Sequence, residues 1–414
     1  MPKTPLKLLI VGKVWPEPNS SAAGSRMMQL IEVLKLITDS ITFASAATEN
    51  NYGVDLEKFG VKPVSIKLND SSFDQFIANL NPDVVLFDRF MTEEQFGWRV
   101  AEHCPKALRI LDTEDLHFLR KARQEAWKNN KGFEEADLYN DLAKREIASI
   151  LRCDLSLIIS KYEMKLLQEV FNVDKQLLLY VPFLLDKISY NTISNWKSID
   201  NRKHFISIGN FLHEPNWNAV LYLKEEIWPL IRKQLPEAEL HIYGAYPSQK
   251  VEQLHNEQEG FLVKGRAENA KEVVGNARVL LAPLRFGAGL KGKLVEAMQC
   301  GTPSVTTDIG AEGMHNDLPW PGAIENEATD FTKAAIELYR NDRNWEECQK
   351  AGVRIINELY RKDDFGSVLT DRIHKLIENM EKHRRQNFIG QILQHHTVAS
   401  TKYMSKWIEA KNDR

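Results

Sequence analysis

Six residues in one short stretch have the types and spacing that bind an anion. Gly287, Gly289, Lys291, Gly292, Lys293 and Glu296 all fall within "LLAPLRFGAGLKGKLVEAMQCGTPSVTT" (280–307). Three chemistries fit. The glycines spell GxGxxG between an apolar run and a helical pattern, which lays a dinucleotide pyrophosphate on a helix N-terminus, and Asp308 follows the next apolar run, where a ribose-binding acid belongs. Gly287, Gly292 and Lys293 also spell GxxxxGK, but Leu294 stands where a Ser or Thr would hold magnesium. In the third reading a helix opens at Gly289 and turns its free amides toward a pyrophosphate. Lys291 and Lys293 then occupy the first turn, a position unfavourable for cations unless an anion sits there, and Glu296 lies one turn further on, in reach of ribose hydroxyls. The plain alternative is a solvated helix face with Lys293 and Glu296 paired at i,i+3. Against the dinucleotide reading, Pro283, Leu284, Arg285 and Phe286 separate the first glycine from the apolar run, whereas that turn follows its strand at once.

A second group has acid–base character. In "RILDTEDLHFLRKAR" (109–123), Asp112, Glu114, Asp115 and His117 follow an apolar run and precede a basic helical segment carrying Arg120 and Arg123. His117, Glu114 and Asp115 are the candidate catalytic residues, placed to accept or orient an acceptor proton. Asp115 serves equally well as a helix cap. Asp88 and Arg89 in "FDRF" are a further pair of the same kind. The chain has no DxD, and its four cysteines include no CxxC, so neither a carboxylate-held cation, a zinc cluster nor a disulfide framework is expected.

These groups need a scaffold. Apolar runs recur through residues 6–160 ("LKLLIVG", "SITFASA", "VKPVSIKL", "DVVLFD", "ALRILD", "DLSLIIS") with amphipathic segments between most of them, the signature of a parallel sheet covered by helices. The pattern lapses in the polar stretch 186–201. It resumes with "HFISIGN", "ELHIYG", "FLVKG", "RVLLAPL" and "TPSVTT", so a second doubly wound domain and an intervening cleft are expected. A length of 414 residues suits two domains, and a net charge of −3 disfavours a nucleic-acid partner. No uncharged apolar run approaches the roughly 20 residues of a membrane span, and "LKLLIVGKVW" reads as a first buried strand. A reducing cytoplasm fits the cysteines.

"PLRFGAGLKGKLVEAMQCGTPSVTT", preceded by "SIGNFLHEPNWNAVLYLKEEIWPLI", resembles the donor-binding domain of GT-B glycosyltransferases of the group 1, family-four kind. The likeness is strong from Phe205 to about Asp308. Over the first half it rests on "PEPNSSAAGSRMMQL", similar to the family's Gly-rich loop, with Gly24, Ser25 and Arg26. The resemblance implies an α/β GT-B fold: a Rossmann-like acceptor-side domain (1–190), a Rossmann-like donor domain (201–375) and C-terminal helices (376–414) returning to the first domain. It implies a nucleoside diphosphate-sugar donor held by Gly287, Gly289, Leu290, Lys291, Lys293, Glu296 and Arg285. It further implies a hydroxyl acceptor on a glycan, lipid or protein near Gly24, Ser25, Arg26, Asp88 and Arg89, retention of configuration, and no cofactor or metal. Two departures stand out. Ala288 replaces the first acid of the family's Glu-x7-Glu, and "GNFLHEPNW" lacks its usual Arg and Lys.

The C-terminal segment differs in charge from the rest. From Lys382 onward seven Lys and Arg face two Asp and Glu, a net +5 against −8 for the remainder. Phe388, Ile389, Ile392, Leu393, Tyr403, Met404, Trp407 and Ile408 there can pack on the first domain. With Lys382, Arg384, Arg385, Lys402 and Lys406 they can also rest on anionic lipid, which would place the protein peripherally on the inner face of the membrane.

Overall fold

A computed structural model describes residues 6–48 and 52–412. The first sheet is built from β1 (Leu6–Gly12), β2 (Thr38–Ser45), β3 (Val61–Ser65), β4 (Val84–Asp88), β5 (Leu108–Asp112), β6 (Leu155–Ile158) and β7 (Leu178–Tyr180). Its order is β3-β2-β1-β4-β5-β6-β7, with every pairing parallel. β4, β5 and β6 are buried at every position, as strands covered on both faces by helices must be. Pro63 sits in β3, at the sheet edge, where its missing N–H costs no ladder bond.

The second sheet repeats the winding with β8 (Lys203–Ile208), β9 (Leu240–Tyr243), β10 (Phe261–Gly265), β11 (Ala277–Ala282), β12 (Ser304–Thr306) and β13 (Gly322–Ile324), in the order β10-β9-β8-β11-β12-β13. In each sheet the order reverses beside its first strand, β1 or β8. Ligand crevices of doubly wound sheets form at such switch points, outside the carboxyl ends of the strands.

The chain crosses between the domains twice, and the crossings run side by side. Leu185 N–H donates to Tyr360 O (2.8 Å), and Lys362 N–H donates to Leu185 O (2.8 Å). The return comes earlier than residue 376, because in the Lys362–Glu378 helix Leu369, Ile373 and Leu376 enter the core beneath β1 and β2. The Phe388–Asn412 helix then packs on the Phe90–His103 and Asp141–Arg152 helices of the first domain.

That last helix turns the opposite way from a simple packing expectation. Phe388, Ile389, Ile392, Tyr403, Met404 and Trp407 are exposed, whereas Gly390 and Ser405 are buried. A Cβ at Gly390 would lie 2.0 Å from Leu151 O, so the absence of a side chain sets the helix's close approach. Arg384 is also not a free surface cation. It donates to Asp154 Oδ1 (2.8 Å) and Oδ2 (2.8 Å) and to the carbonyls of Pro105 and Ala107, stitching the segment to the sheet. Among the described residues no helix is long and apolar enough to cross a membrane.

Candidate active site

The carboxyl ends of both sheets open onto one cleft of about 830 Å³. Two helix N-termini meet there. The Ala22–Leu34 helix begins at Ser21, whose hydroxyl accepts from Gly24 N–H (3.0 Å). The Gly292–Gln299 helix begins after Lys291, and no side chain caps it. Each brings a positive dipole end to the same space. Their contact is so close that a Cβ at Gly292 would stand 2.4 Å from Ala22 Cβ.

The Gly292–Gln299 helix starts three residues later than the sequence suggests. Gly289 has φ +62°, outside helical geometry, and a Cβ there would meet Asp115 Cβ at 2.7 Å. Its N–H is not free for a ligand, because it donates to Glu163 Oε1 (2.8 Å). Gly287, Leu290, Lys291, Lys293 and Glu296 line the cleft. Lys291 Nζ donates to Gly289 O (2.6 Å) and Lys293 Nζ to Asn216 Oδ1 (2.8 Å). Burial pulls these amines down, Lys291 to about 8 despite Glu312, and Lys293 to about 7. Burial pushes Glu296 up to about 7 against the attraction of Lys271. A diphosphate beside the two amines would restore their charge.

Arg285 does not join them. Its Nε donates to Asn218 Oδ1 (2.8 Å), and its guanidinium lies over the rings of Trp127 and Tyr222, outside the cleft lining. Asp308 is also elsewhere: its carboxylate accepts from Asn326 Nδ2 (2.6 Å) on the exposed side of its turn. The dinucleotide reading thereby loses its ribose acid as well as its tight turn.

On the acceptor side, Glu114, Asp115, His117, Arg89 and Ser25 line the cleft; Gly24, Arg26 and Asp88 do not. Arg26 is buried, bound to Asp112 (Nη2–Oδ1 2.8 Å) and to the carbonyls of Val181 and Pro182. Gly24 is where the helix passes the backbone of Glu17, which would lie 2.5 Å from a Cβ. Asp88 is buried beside Arg89 (3.6 Å) and accepts from Lys13 N–H (3.0 Å). Arg89 (φ +70°) and Glu114 (φ +63°) occupy a region costly for residues with side chains, and both do so at the carboxyl ends of neighbouring strands.

His117 opens the His117–Lys128 helix. Its Nδ1 faces three oxygens: Asp115 O (3.1 Å), Asp115 Oδ1 (3.4 Å) and Glu146 Oε1 (3.3 Å). That surrounding favours the proton on Nδ1 and leaves Nε2 as an acceptor. Asp115 is not a free base. Burial alone would raise its pKa, but the ion pair with Arg120, with the His117 ring beside it, holds it well below the usual carboxylate range. Glu114 is the reverse case: burial and Asp112 push it up to about 8 against Arg89, and its Oε1 is buried without a hydrogen-bond partner.

Sequence reasoning missed several residues. Asn216 holds Lys293, and His213 lines the cleft with its pKa brought down to about 3 by burial and Arg120. Glu163 joins the two domains, accepting from Leu116 N–H (3.0 Å) as well as Gly289 N–H. Arg123 does the same, donating to Gly287 O (2.9 Å) and to both carboxylate oxygens of Glu312 (2.7 and 2.9 Å). Among the described residues no group of three or more His, Cys, Asp or Glu is placed to hold a metal ion.

Residues 202–341 match the family model described as glycosyl transferases group 1. No curated protein matches the chain. Solved structures share the fold. Sucrose-phosphate synthase from Thermosynechococcus elongatus aligns with a TM-score of 0.67 at 14% identity, over 90% of this chain and 99% of that one. Anabaena HepE in complex with UDP and glucose aligns at 0.64 and 12%, over 89% and 99%. A mutant of S. aureus TarM in complex with fondaparinux, alpha-GlcNAc-glycerol and UDP aligns at 0.56 and 15% over 72% of this chain, which spans 58% of its length.

Proposed function

With residues 202–341 a group 1 glycosyltransferase domain within a GT-B fold, we propose that this enzyme moves a sugar from a nucleoside diphosphate donor to a hydroxyl acceptor in glycan assembly, with retention and without a metal ion. The observation that carries this is the cleft itself: two helix N-termini, one from each domain, and the amines of buried Lys291 and half-buried Lys293 converge there, and acid-rich strand ends of the first domain face them. Charge develops on the diphosphate as the glycosidic bond breaks, and preorganised amides with Lys291 and Lys293 stabilise it. Glu296 meets the ribose.

Opposite, the acceptor hydroxyl donates to His117 Nε2, which fixes its lone pair against the anomeric carbon. In a retaining transfer the acceptor oxygen bonds the anomeric carbon on the face from which the diphosphate leaves; the hydroxyl proton passes to His117 Nε2, and the diphosphate departs as an anion held by Lys291 and Lys293. Glu114, its carboxyl pushed up by burial, lines the cleft beside the acceptor. Retention rests on the resemblance alone.

Thermal denaturation with UDP, GDP, ADP and NAD tests the reading. A ligand at a hundred times its Kd adds about 2.7 kcal/mol of stability, so at least one nucleoside diphosphate is expected to raise Tm while NAD leaves it unchanged. Sugar transfer is expected to persist in EDTA. Stabilisation by NAD alone, or turnover lost in chelator and restored by manganese, would overturn it.

The acceptor is proposed to be met at an anionic membrane surface. At about 100° per residue, the exposed Phe388, Ile389, Ile392, Tyr403, Met404 and Trp407 share one side of their helix, in a segment of net +5. Sedimentation with phosphatidylglycerol vesicles is expected at low salt and should fade on charge reversal at Arg385 and Lys406. Full recovery in the supernatant would refute this placement.

A further inference from the structure

A second cavity, of about 220 Å³, lies at the other end of the first sheet. Arg109 stands near the amino end of β5, whose carboxyl end leads to Glu114 and the cleft. The two sites are thus separated by the length of a strand. Three arginines and one carboxylate line the cavity: Arg109, Arg152, Arg384 and Asp154.

Two of the arginines are fully engaged. Arg152 binds Glu93 (Nε–Oε1 2.9 Å) and Ser149, and Arg384 binds Asp154 and two carbonyls. Arg109 is not. It is 8% exposed, and its Nε is buried with no hydrogen-bond partner. The nearest carboxylate oxygen, Asp154 Oδ2, is 3.6 Å away and already accepts from the backbone N–H of Arg109 (2.9 Å) and from Arg384 Nη2 (2.8 Å). A guanidinium is never neutral in a protein, so holding it out of water with no hydrogen bond and only a carboxylate shared with Arg384 at 3.6 Å is costly, and a second anion in the cavity would offset that cost.

The walls of the cavity are fixed. Gln391 and Gln394 of the C-terminal segment donate to the carbonyls of Arg384 (2.5 Å) and Arg152 (2.7 Å), holding the last helix across the opening. The volume is below the roughly 300 Å³ at which pockets for drug-sized ligands begin. It suits one tetrahedral oxyanion and not a nucleotide.

We propose that this cavity binds a single phosphate group, gripped in bidentate fashion by the Arg109 guanidinium, either as a free phosphate or as the headgroup of a phospholipid. The planar fork of arginine matches two phosphate oxygens, and the neighbouring arginines supply the remaining positive field.

The test uses the full chain carrying Lys291→Ala and Lys293→Ala, so that phosphate cannot report on the cleft, with and without Arg109→Gln. Titration calorimetry with inorganic phosphate at constant ionic strength is expected to show one site in the background chain. Arg109→Gln should weaken it about ten- to a hundredfold, the worth of charge-assisted hydrogen bonds. Without phosphate, the Tm of the Arg109→Gln chain should fall only slightly, because the lost side chain makes no hydrogen bond and Asp154, its partner at 3.6 Å, stays bound by Arg384. Arg109→Lys, which keeps charge but not the fork, should fall between. Equal phosphate affinity in all chains, or no binding in any, would overturn the site. Vesicles separate the sources: loss of phosphatidylglycerol binding on Arg109→Gln assigns the headgroup, and unchanged vesicle binding beside weakened phosphate binding assigns the free anion.

Discussion

Replacing His117 with alanine is expected to lower turnover by on the order of a hundredfold, the usual cost of a reacting group displaced by about 1 Å, while the Kd for a nucleoside diphosphate stays within about twofold. The split follows from where the ring sits. Asp115 and Glu146 take up its Nδ1 side, and the groups proposed to meet the donor, Lys291, Lys293 and Glu296, belong to the other domain. Glu146 accepts from the backbone N–H groups of both His117 (3.2 Å) and Phe118 (3.0 Å), so the helix start stays anchored without the imidazole. Steady-state kinetics with saturating donor and a binding isotherm check both halves. Turnover within twofold of the parent's would remove His117 from the reaction. A parallel loss of nucleotide affinity would mean that the ring orders the cleft rather than the acceptor.

The sheets were legible wherever a strand is buried on both faces. "DVVLFD", "ALRILD" and "RVLLAPL" are continuous apolar runs because β4, β5 and β11 have helices above and below. The two strands not anticipated, β7 and β13, have three residues each at sheet edges: β13 has no apolar run to mark it, and β7 is the first part of the longer run "LLLYVPFLL" (177–185), which continues past the strand into the crossing at Leu185. The site divides by a similar rule. Lys291, Lys293 and Glu296 line the cleft together because one loop and one helix turn carry them all. Arg26 and Arg285 were misplaced because sequence gives a cation's position but not its partner: Asp112 lies 86 residues from Arg26, and Asn218 lies 67 from Arg285. Glu163 and Asn216 escaped notice for the same reason, and Arg123 was named only as part of a basic helical segment, since each acts on a residue more than seventy positions away. The late helix start has a local cause. The left-handed turn at Gly289, closed by Glu163, displaces the first helical turn to Gly292 and lets Asp115 pack against a residue without a side chain.

Donor affinity should fall as pH rises from 7 to 9, and Lys293→Ala should weaken nucleoside diphosphate binding about ten- to a hundredfold at pH 7, the worth of a hydrogen bond to a charged group. Without ligand, burial holds Lys293 at about 7 and Lys291 at about 8. A diphosphate favours the charged amines and raises both values, so binding takes up protons. Below the ligand-free pKa values both amines are already charged and affinity is at its highest. As pH climbs through 7 and then 8, each amine must be protonated at the moment of binding, which costs up to about tenfold in affinity per pH unit for each. The ligand does not blur this window, because the last phosphate ionisation lies near pH 6. Calorimetry at pH 8 in buffers of different ionisation enthalpy reads the uptake directly. Removing Lys293 should flatten the lower part of the profile, and removing Lys291 the upper part. If affinity is constant from pH 7 to 9 and no proton is taken up, the amines do not face the diphosphate. The helix N-terminus would then hold the anion alone, and the alanine variants would bind as tightly as the parent.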